Sequence, residues 1–446
     1  MVVAYKEHIQ FIMILVVMYV MGVWLDPTIY LIFPIMMLLF GVKKHFFELL
    51  ICTLWLLILS DYIPVDNATY ADLQFAKDLK PMVPIILLGF FLLNRERFAP
   101  YPKFIFYFIP FFIVAAIGLN DSLDFQVGAQ KTISFILMYM VIPLYVNLLH
   151  REHGEFFWRS LFTFIIGMLA IGIVLGIVVP QIGVLEGANR FKGIFGNPNG
   201  VGIFLNLTFI LWIVLEEFGL LKLTKKERWV TLLVILISLF WSGSRNGIMS
   251  ITLFYLIYRL TKINWFLALI AVAVFIIFSD FIFDAFVEFV SFFGLEGYFR
   301  VNTLEEGSGR QVAWAFAWIQ IQDYFFVGGG FGHDEHVMRP NYHWLVRKGH
   351  EGGVHNSYLS LWFDTGIIGL IMYFGAIFRV VFSSFKQHYI VLAFIVSLLF
   401  NITYESWLVA SLNPFTIMLV IILTIFAQNF RGEQAVVEDE SVSEKN

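Results

Sequence analysis

Four side chains in this sequence stand where chemistry is possible: Arg190, Arg245, Arg310 and His355. Each lies in a short polar or glycine-rich stretch between long apolar runs. A cation beside hydrocarbon is costly unless it has a partner or a task. An arginine offers a planar fork that grips phosphate oxygens two at a time. Several on one face suit a pocket for a polyanionic headgroup such as a lipid pyrophosphate. The first stretch, Arg190-Phe-Lys192-Gly-Ile-Phe-Gly-Asn-Pro-Asn199-Gly200, is a loop leading into an apolar run. Asn199 is expected to cap the helix that follows, and the N–H groups at that start, beside Arg190 and Lys192, favour an anion. A plain loop with basic decoration is the competing reading. Arg245 sits in the tight turn Ser242-Gly-Ser-Arg245-Asn-Gly247, close to the bilayer interface, where snorkelling to a lipid phosphate is the bland alternative. Gly307-Ser-Gly-Arg310 again sets an arginine just before a helix. His355 precedes an apolar run, where an imidazole can accept a proton.

Two histidine pairs invite a metal reading. His350 and His355 are five residues apart with two glycines between them, whereas the metalloprotease helix needs a spacing of four on one face. That pair is therefore not a zinc motif. His333-Asp-Glu-His336 follows the glycine-rich stretch 328–332 and reads as solvated surface rather than as a ligand set. The one cysteine, Cys52, is inside an apolar run, which excludes a disulfide. The residues call for neither a metal nor a cofactor.

These side chains are carried by a chain of 446 residues that is 59% hydrophobic, 18% aromatic and 14% charged, with a mean hydropathy of +0.81. A soluble domain carries about a quarter charged residues, so the chain is expected to be an all-α polytopic membrane protein. Fourteen apolar spans are legible, at 8–24, 27–41, 46–62, 80–94, 103–119, 129–149, 156–180, 199–217, 228–241, 246–260, 264–279, 357–378, 387–404 and 410–429. The first two also fit a re-entrant pair, so the expectation is twelve to fourteen crossings. The first run is too long for a cleavable leader and lacks a small-residue cleavage site.

With the N-terminus in the cytoplasm, 18 of the 29 lysines and arginines fall inside, including Lys43, Lys44, Arg95, Arg97 and Lys222 to Arg228. Five of the remaining 11 lie in the long loop 280–355. Long loops cross regardless of charge, so the short loops decide, and they put the four site residues on the outer side. That loop holds two amphipathic segments. Phe281–Phe293 suits a helix in the headgroup plane, while Val312–Phe326 stripes Trp314, Trp318 and Ile321 and either dips into the surface or caps a cavity; ordinary packing on the bundle competes for both. One helical domain is thus expected over 1–430, with the loop 280–355 at its catalytic face. The tail 431–446, acidic from Glu438, reads as a solvated cytoplasmic end.

The ordered set resembles the O-antigen ligase and polymerase superfamily. It comprises Arg-x-x-Gly-x-Phe-x-Asn-Pro-Asn at 190–199, Ser-x-Ser-Arg at 242–245, Ser-Gly-Arg at 308–310, Gly328-Gly-Gly-Phe-Gly332, His355-Asn-Ser-Tyr-Leu359 and Gly366-Ile-Ile-Gly369. Asp364 departs from the glutamate common before the paired glycines. The resemblance implies a GT-C type glycosyltransferase that moves a glycan from undecaprenyl pyrophosphate to an acceptor hydroxyl at the outer face of the bacterial cytoplasmic membrane. The acceptor would be a glycan, a lipid or a protein, and a flippase or chain-length protein would be a natural partner. Nucleic acid is not a partner. Arg190 and Arg245 would bind the pyrophosphate, with Lys192 and Asn199 beside them, and Arg310 would complete the cradle or position the sugar. His355 would activate the acceptor or orient the donor, with Asn356 and Tyr358 behind it. No Asp-x-Asp motif occurs on the outer side, so arginines take the part that Mg²⁺ usually plays. A flippase for the same lipids, a protein O-oligosaccharyltransferase and a non-catalytic scaffold compete with this reading. Nearly charge-free spans with cations on one face favour an enzyme over a transporter.

Overall fold

A computed structural model describes residues 2–60, 79–185, 187–294, 296–299, 310–348, 353–385, 389–428 and 430. His350, Ser308 and the acidic tail 431–446 lie outside the described residues. Among the described residues the fold is helical, as expected, apart from one antiparallel pair of two-residue strands, β1 (Val184–Leu185) and β2 (Arg190–Phe191). The principal helices are α1 (Val2–Trp24), α2 (Ile32–Val42), α3 (Phe46–Ser60), α4 (Met82–Leu93), α5 (Phe104–Ile117), α6 (Phe125–His153), α7 (Glu155–Val178), α8 (Pro198–Glu217) and α9 (Lys225–Ser242). They continue with α10 (Arg245–Ile263), α11 (Trp265–Ile277), α12 (Ser279–Phe292), α13 (Arg310–Ile321), α14 (His333–Met338), α15 (Ser357–Phe385), α16 (Ile390–Thr403) and α17 (Pro414–Ala427). Every one of the fourteen apolar segments falls on a helix. Among the described residues, five helical stretches, Phe104–Asp121, Phe125–His153, Glu155–Val178, Pro198–Glu217 and Ser357–Ser383, are long and apolar enough to cross a membrane. Seven more are apolar but shorter. These helices support an integral membrane protein.

Two compact units divide the chain. The first takes residues 1–105, 137–242 and 412–446. Its centre is built from α3, α8 and α17, which are apolar on every face and buried on nearly every face. α17 packs on both α3 and α8, and α8 also on α9. A helix without a polar stripe has to be wrapped in this way or face lipid. Two Asn-Pro pairs start the central helices. Asn197 accepts from the Gly200 N–H at 2.8 Å and Asn413 from the Thr416 N–H at 2.6 Å, each followed by a proline at the first helical position. The cap of α8 is therefore Asn197 and not Asn199. With Pro198 at the first helical position, Asn199 already belongs to the helix, and its side chain is taken up elsewhere.

The second unit takes residues 106–136 and 243–411. Its long seam is α10 against α16, and the seam is polar. Ser397 Oγ donates to the Ser250 carbonyl at 2.9 Å, Asn401 Nδ2 to Ser250 Oγ at 3.1 Å, and Asn246 Nδ2 to the Asn401 carbonyl at 3.0 Å. Small and polar residues let apolar helices approach closely and fix one register. α13 presents Ala313, Ala317 and Ile321, all fully buried, in a core shared with Phe363 of α15. Of the readings for Val312–Phe326, packing is the one this face shows. α12 keeps Phe281, Phe289 and Phe292 exposed and buries Val290.

Glycines lock a loop onto α15. Gly329 N–H and Gly330 N–H donate to the carbonyls of Phe363 and Asp364 at 2.9 Å each, and Ile367 N–H donates to the Phe325 carbonyl at 2.8 Å. α15 is interrupted there, with Gly366 at φ 66° and ψ 179°. A Cβ on Gly366 would lie 2.2 Å from the Phe326 carbonyl, and one on Gly328 2.4 Å from the Thr365 nitrogen. Both glycines are thus demanded by backbone meeting backbone.

Candidate active site

In the second unit, three elements bring named site residues together. Arg310 opens α13, and His355 lies two residues before α15. Between them stands Glu405, in the turn after α16. Arg310 Nη2 is 3.3 Å from Glu405 Oε1, and His355 Nδ1 is 3.8 Å from Glu405 Oε2. The glutamate is 7% exposed, so its carboxyl group faces these partners and not bulk water. The Arg310 guanidinium also lies 5.9 Å from the centre of the Tyr404 ring. Glu405 escaped the sequence reading because it belongs to no motif. Its one legible signal was an acidic residue just beyond an apolar run.

The backbone around the pair is fixed. Ser357 Oγ donates to the Glu405 carbonyl at 2.6 Å, and Trp314 Nε1 to the Val354 carbonyl at 3.0 Å. His355 itself has φ +48°, a left-handed conformation unusual for a non-glycine residue. Asn356 caps α15: its Oδ1 accepts from Tyr358 N–H at 2.9 Å and from Leu359 N–H at 3.1 Å. The Tyr358 hydroxyl donates to the Leu399 carbonyl at 3.1 Å, and its ring stacks on Phe374. These contacts give both residues work in holding the His355 loop. Arg245 opens α10 behind the Ser244 cap, whose Oγ accepts from Gly247 N–H at 3.3 Å. Its neighbour Asn246 reaches Asn401, four residues from Glu405, so the polar seam leads from the start of α10 towards the Glu405 turn.

Arg190, Lys192 and Asn199 belong to the first unit. Arg190 is 5% exposed; its Nε donates to the Ser242 carbonyl at 2.7 Å and its Nη2 to Asn199 Oδ1 at 3.1 Å. The hairpin and the Gly183 carbonyl, which accepts from Lys192 N–H at 2.9 Å, set this loop against the end of α9. Lys192 is buried as well, and burial pulls its ammonium down to about 8. Arg190 and Asn199 are thus bonded to each other inside the loop, and Lys192 is a lysine that loses its charge a little above neutral pH.

The 333–336 stretch is not the solvated surface expected of it. It forms α14, with His333 and Asp334 buried and only Glu335 and His336 exposed. Burial, helped by the charge of His336, brings His333 down to about 4, so it is neutral at physiological pH. Burial likewise holds the Asp334 carboxyl above the usual range. The ring of His333 packs against Gly329 and the Tyr324 ring, which the glycine-rich spacing did not reveal. A cleft of about 230 Å³ opens beside this helix, lined among others by Asp124, Lys131, His336 and Arg339.

No curated protein matches the chain. Residues 230–374 match the model of the O-antigen ligase family. That stretch contains Arg245, Arg310, His355, Asn356 and Tyr358, while Arg190, Lys192, Asn199 and Glu405 lie outside it. The match supports an O-antigen ligase-type membrane glycosyltransferase. The matched stretch runs from within α9 into α15, and over it the chain is similar to the O-antigen ligase family, in agreement with the resemblance its motifs carry.

Proposed function

We propose that this protein transfers a glycan from undecaprenyl pyrophosphate to an acceptor hydroxyl at the outer face of the bacterial cytoplasmic membrane. The observation that carries the reading is the meeting of Arg310 and His355 on Glu405, inside a unit whose motifs match the family. In the reaction the acceptor oxygen attacks the anomeric carbon and the bond from that carbon to the phosphate oxygen breaks. His355 takes the hydroxyl proton, and the lipid pyrophosphate leaves with the bonding pair. Arg245 and Arg310 neutralise the charge that grows on it, which in a water-poor site is worth far more than in bulk solvent. Arg190 and Lys192 are proposed as anion-binding residues of their own unit. Polymerisation, with a second lipid-linked glycan as acceptor, is the reading we adopt over ligation to a lipid core or protein.

The test is direct. Purified protein in nanodiscs is incubated with undecaprenyl-pyrophosphate oligosaccharide alone and with candidate lipid or protein acceptors. Lengthening chains with the donor alone support polymerisation, and a glycosylated acceptor supports ligation. Donor consumed in neither arm, with the lipid moved across vesicles instead, would establish the flippase reading. EDTA should leave transfer intact, because guanidinium groups carry the leaving charge. Loss of activity restored by a divalent cation would overturn that part.

A further inference from the structure

We propose that Glu405 is the positioning residue of this site: its carboxylate holds the Nδ1–H of His355 and anchors Arg310, so that proton transfer with the acceptor runs through Nε2. The role rests on the transfer reading above and adds a residue that neither the motifs nor the matched stretch contains.

The geometry supports it in three ways. One carboxylate faces both functional groups, Oε1 towards Arg310 and Oε2 towards His355 Nδ1. The separation at Nδ1, 3.8 Å, is an ion-pair distance rather than a hydrogen bond. Second, the glutamate cannot swing away freely. Its carbonyl receives Ser357 Oγ at 2.6 Å, the same hydroxyl accepts from Leu408 N–H at 3.4 Å, and Trp407 Nε1 donates to Asn401 Oδ1 at 2.9 Å. The turn is thereby tied to the first residue of α15, two positions from His355, and to the seam that starts beside Arg245. Third, the histidine is held at φ +48°, and backbone strain of this kind persists only where the surroundings over-determine it. A carboxylate opposite one imidazole nitrogen selects the tautomer protonated there and orients the ring, leaving proton exchange to the other nitrogen.

The test uses the full chain in nanodiscs, with Glu405→Gln, Glu405→Asp and His355→Gln compared on the lipid-linked oligosaccharide. Glutamine keeps the shape and loses the charge. Glu405→Gln should lower kcat by about 10- to 100-fold with the donor KM nearly unchanged, and Glu405→Asp should recover part of the loss. Melting temperature checks that each variant is folded. A second readout needs no turnover: in ¹⁵N-histidine spectra, the signals lost in His355→Gln belong to this ring. They should report Nδ1–H in the wild type and shift towards Nε2–H in Glu405→Gln. An Nε2–H ring in the wild type, or a folded Glu405→Gln that transfers at the wild-type rate beside a dead His355→Gln, overturns the positioning role and leaves the transfer reading standing. His355→Gln at the wild-type rate removes the base, and the positioning role falls with it.

Discussion

Arg190 and Arg310 differ in what they touch, and the difference in role proposed for them is measurable. Arg190 is buried and spends two donors on the Ser242 carbonyl and on Asn199, whereas Arg310 is more exposed and faces a single carboxylate. A lysine keeps the charge but cannot reach two acceptors in one plane. Arg190→Lys should therefore melt earlier, by about 1.5–3 kcal/mol for the charged hydrogen bond lost, and Asn199→Ala should show part of that effect. Arg310→Lys should keep its melting temperature and lose roughly 30- to 1000-fold in transfer rate, the span of about 2–4 kcal/mol in transition-state stabilisation. Calorimetry alongside a transfer assay separates the two, and a cold-stable, fully active Arg310→Lys would reduce that residue to an interface anchor. Lys192 adds a pH test. Its depressed value means that the ammonium is present below about 8 and lost above it. Donor-lipid binding should weaken between pH 7 and 9 in the wild type and stay level in Lys192→Arg, which remains charged throughout. Parallel curves for the two proteins would show that Lys192 does not touch the anion.

At the scale of elements, the interruption of α15 is what sets the loop 324–332 in place. Gly366 occupies a backbone region essentially closed to other residues, and its Cα hydrogens face the Phe326 carbonyl. Gly366→Ala should cost more than the ~1–3 kcal/mol of the dihedral alone, because a methyl group would also collide with backbone that cannot rotate aside. Gly375, on the same helix, has open space where a Cβ would go. Gly375→Ala should be neutral or slightly stabilising, since alanine favours the helix by up to about 1 kcal/mol. Thermal melting of the two variants checks the pair; equal melting temperatures would mean that the loop yields. The family-like glycines at 328 and 366 are in this light structural, holding the segment that follows them, while the residues for chemistry come from other elements.

For the whole molecule, the sidedness of the site is the property on which the proposed donor depends. Cysteines introduced at Ser308 and Asn341 should react with an impermeant thiol reagent in spheroplasts, and one at Lys225 should not. The native Cys52 is fully buried among apolar side chains and should stay silent. The reverse labelling pattern would place the arginines in the cytoplasm and remove an outer-face lipid donor from consideration.

Hydropathy alone pointed to a helical membrane protein, because a span has to be apolar whatever it packs against, and among the described residues each of the fourteen apolar segments falls on a helix. Motif order likewise singled out Arg245, Arg310 and His355 as candidates and pointed to the family the chain resembles, since glycine, serine and asparagine at helix starts act locally. Three things needed tertiary structure. The cap of α8 passed from Asn199 to Asn197 because Pro198 fixes where the helix begins and Arg190 claims the later asparagine. His333 and Asp334 became buried because glycines at 329 and 366 bring two backbones into contact, a long-range event that local polarity does not encode. Glu405 joined His355, 50 residues away, only because the α10–α16 seam and the Ser357 bond bring the end of one helix to the start of another. Partnership across such a distance is a property of packing, and no spacing rule in the chain announces it.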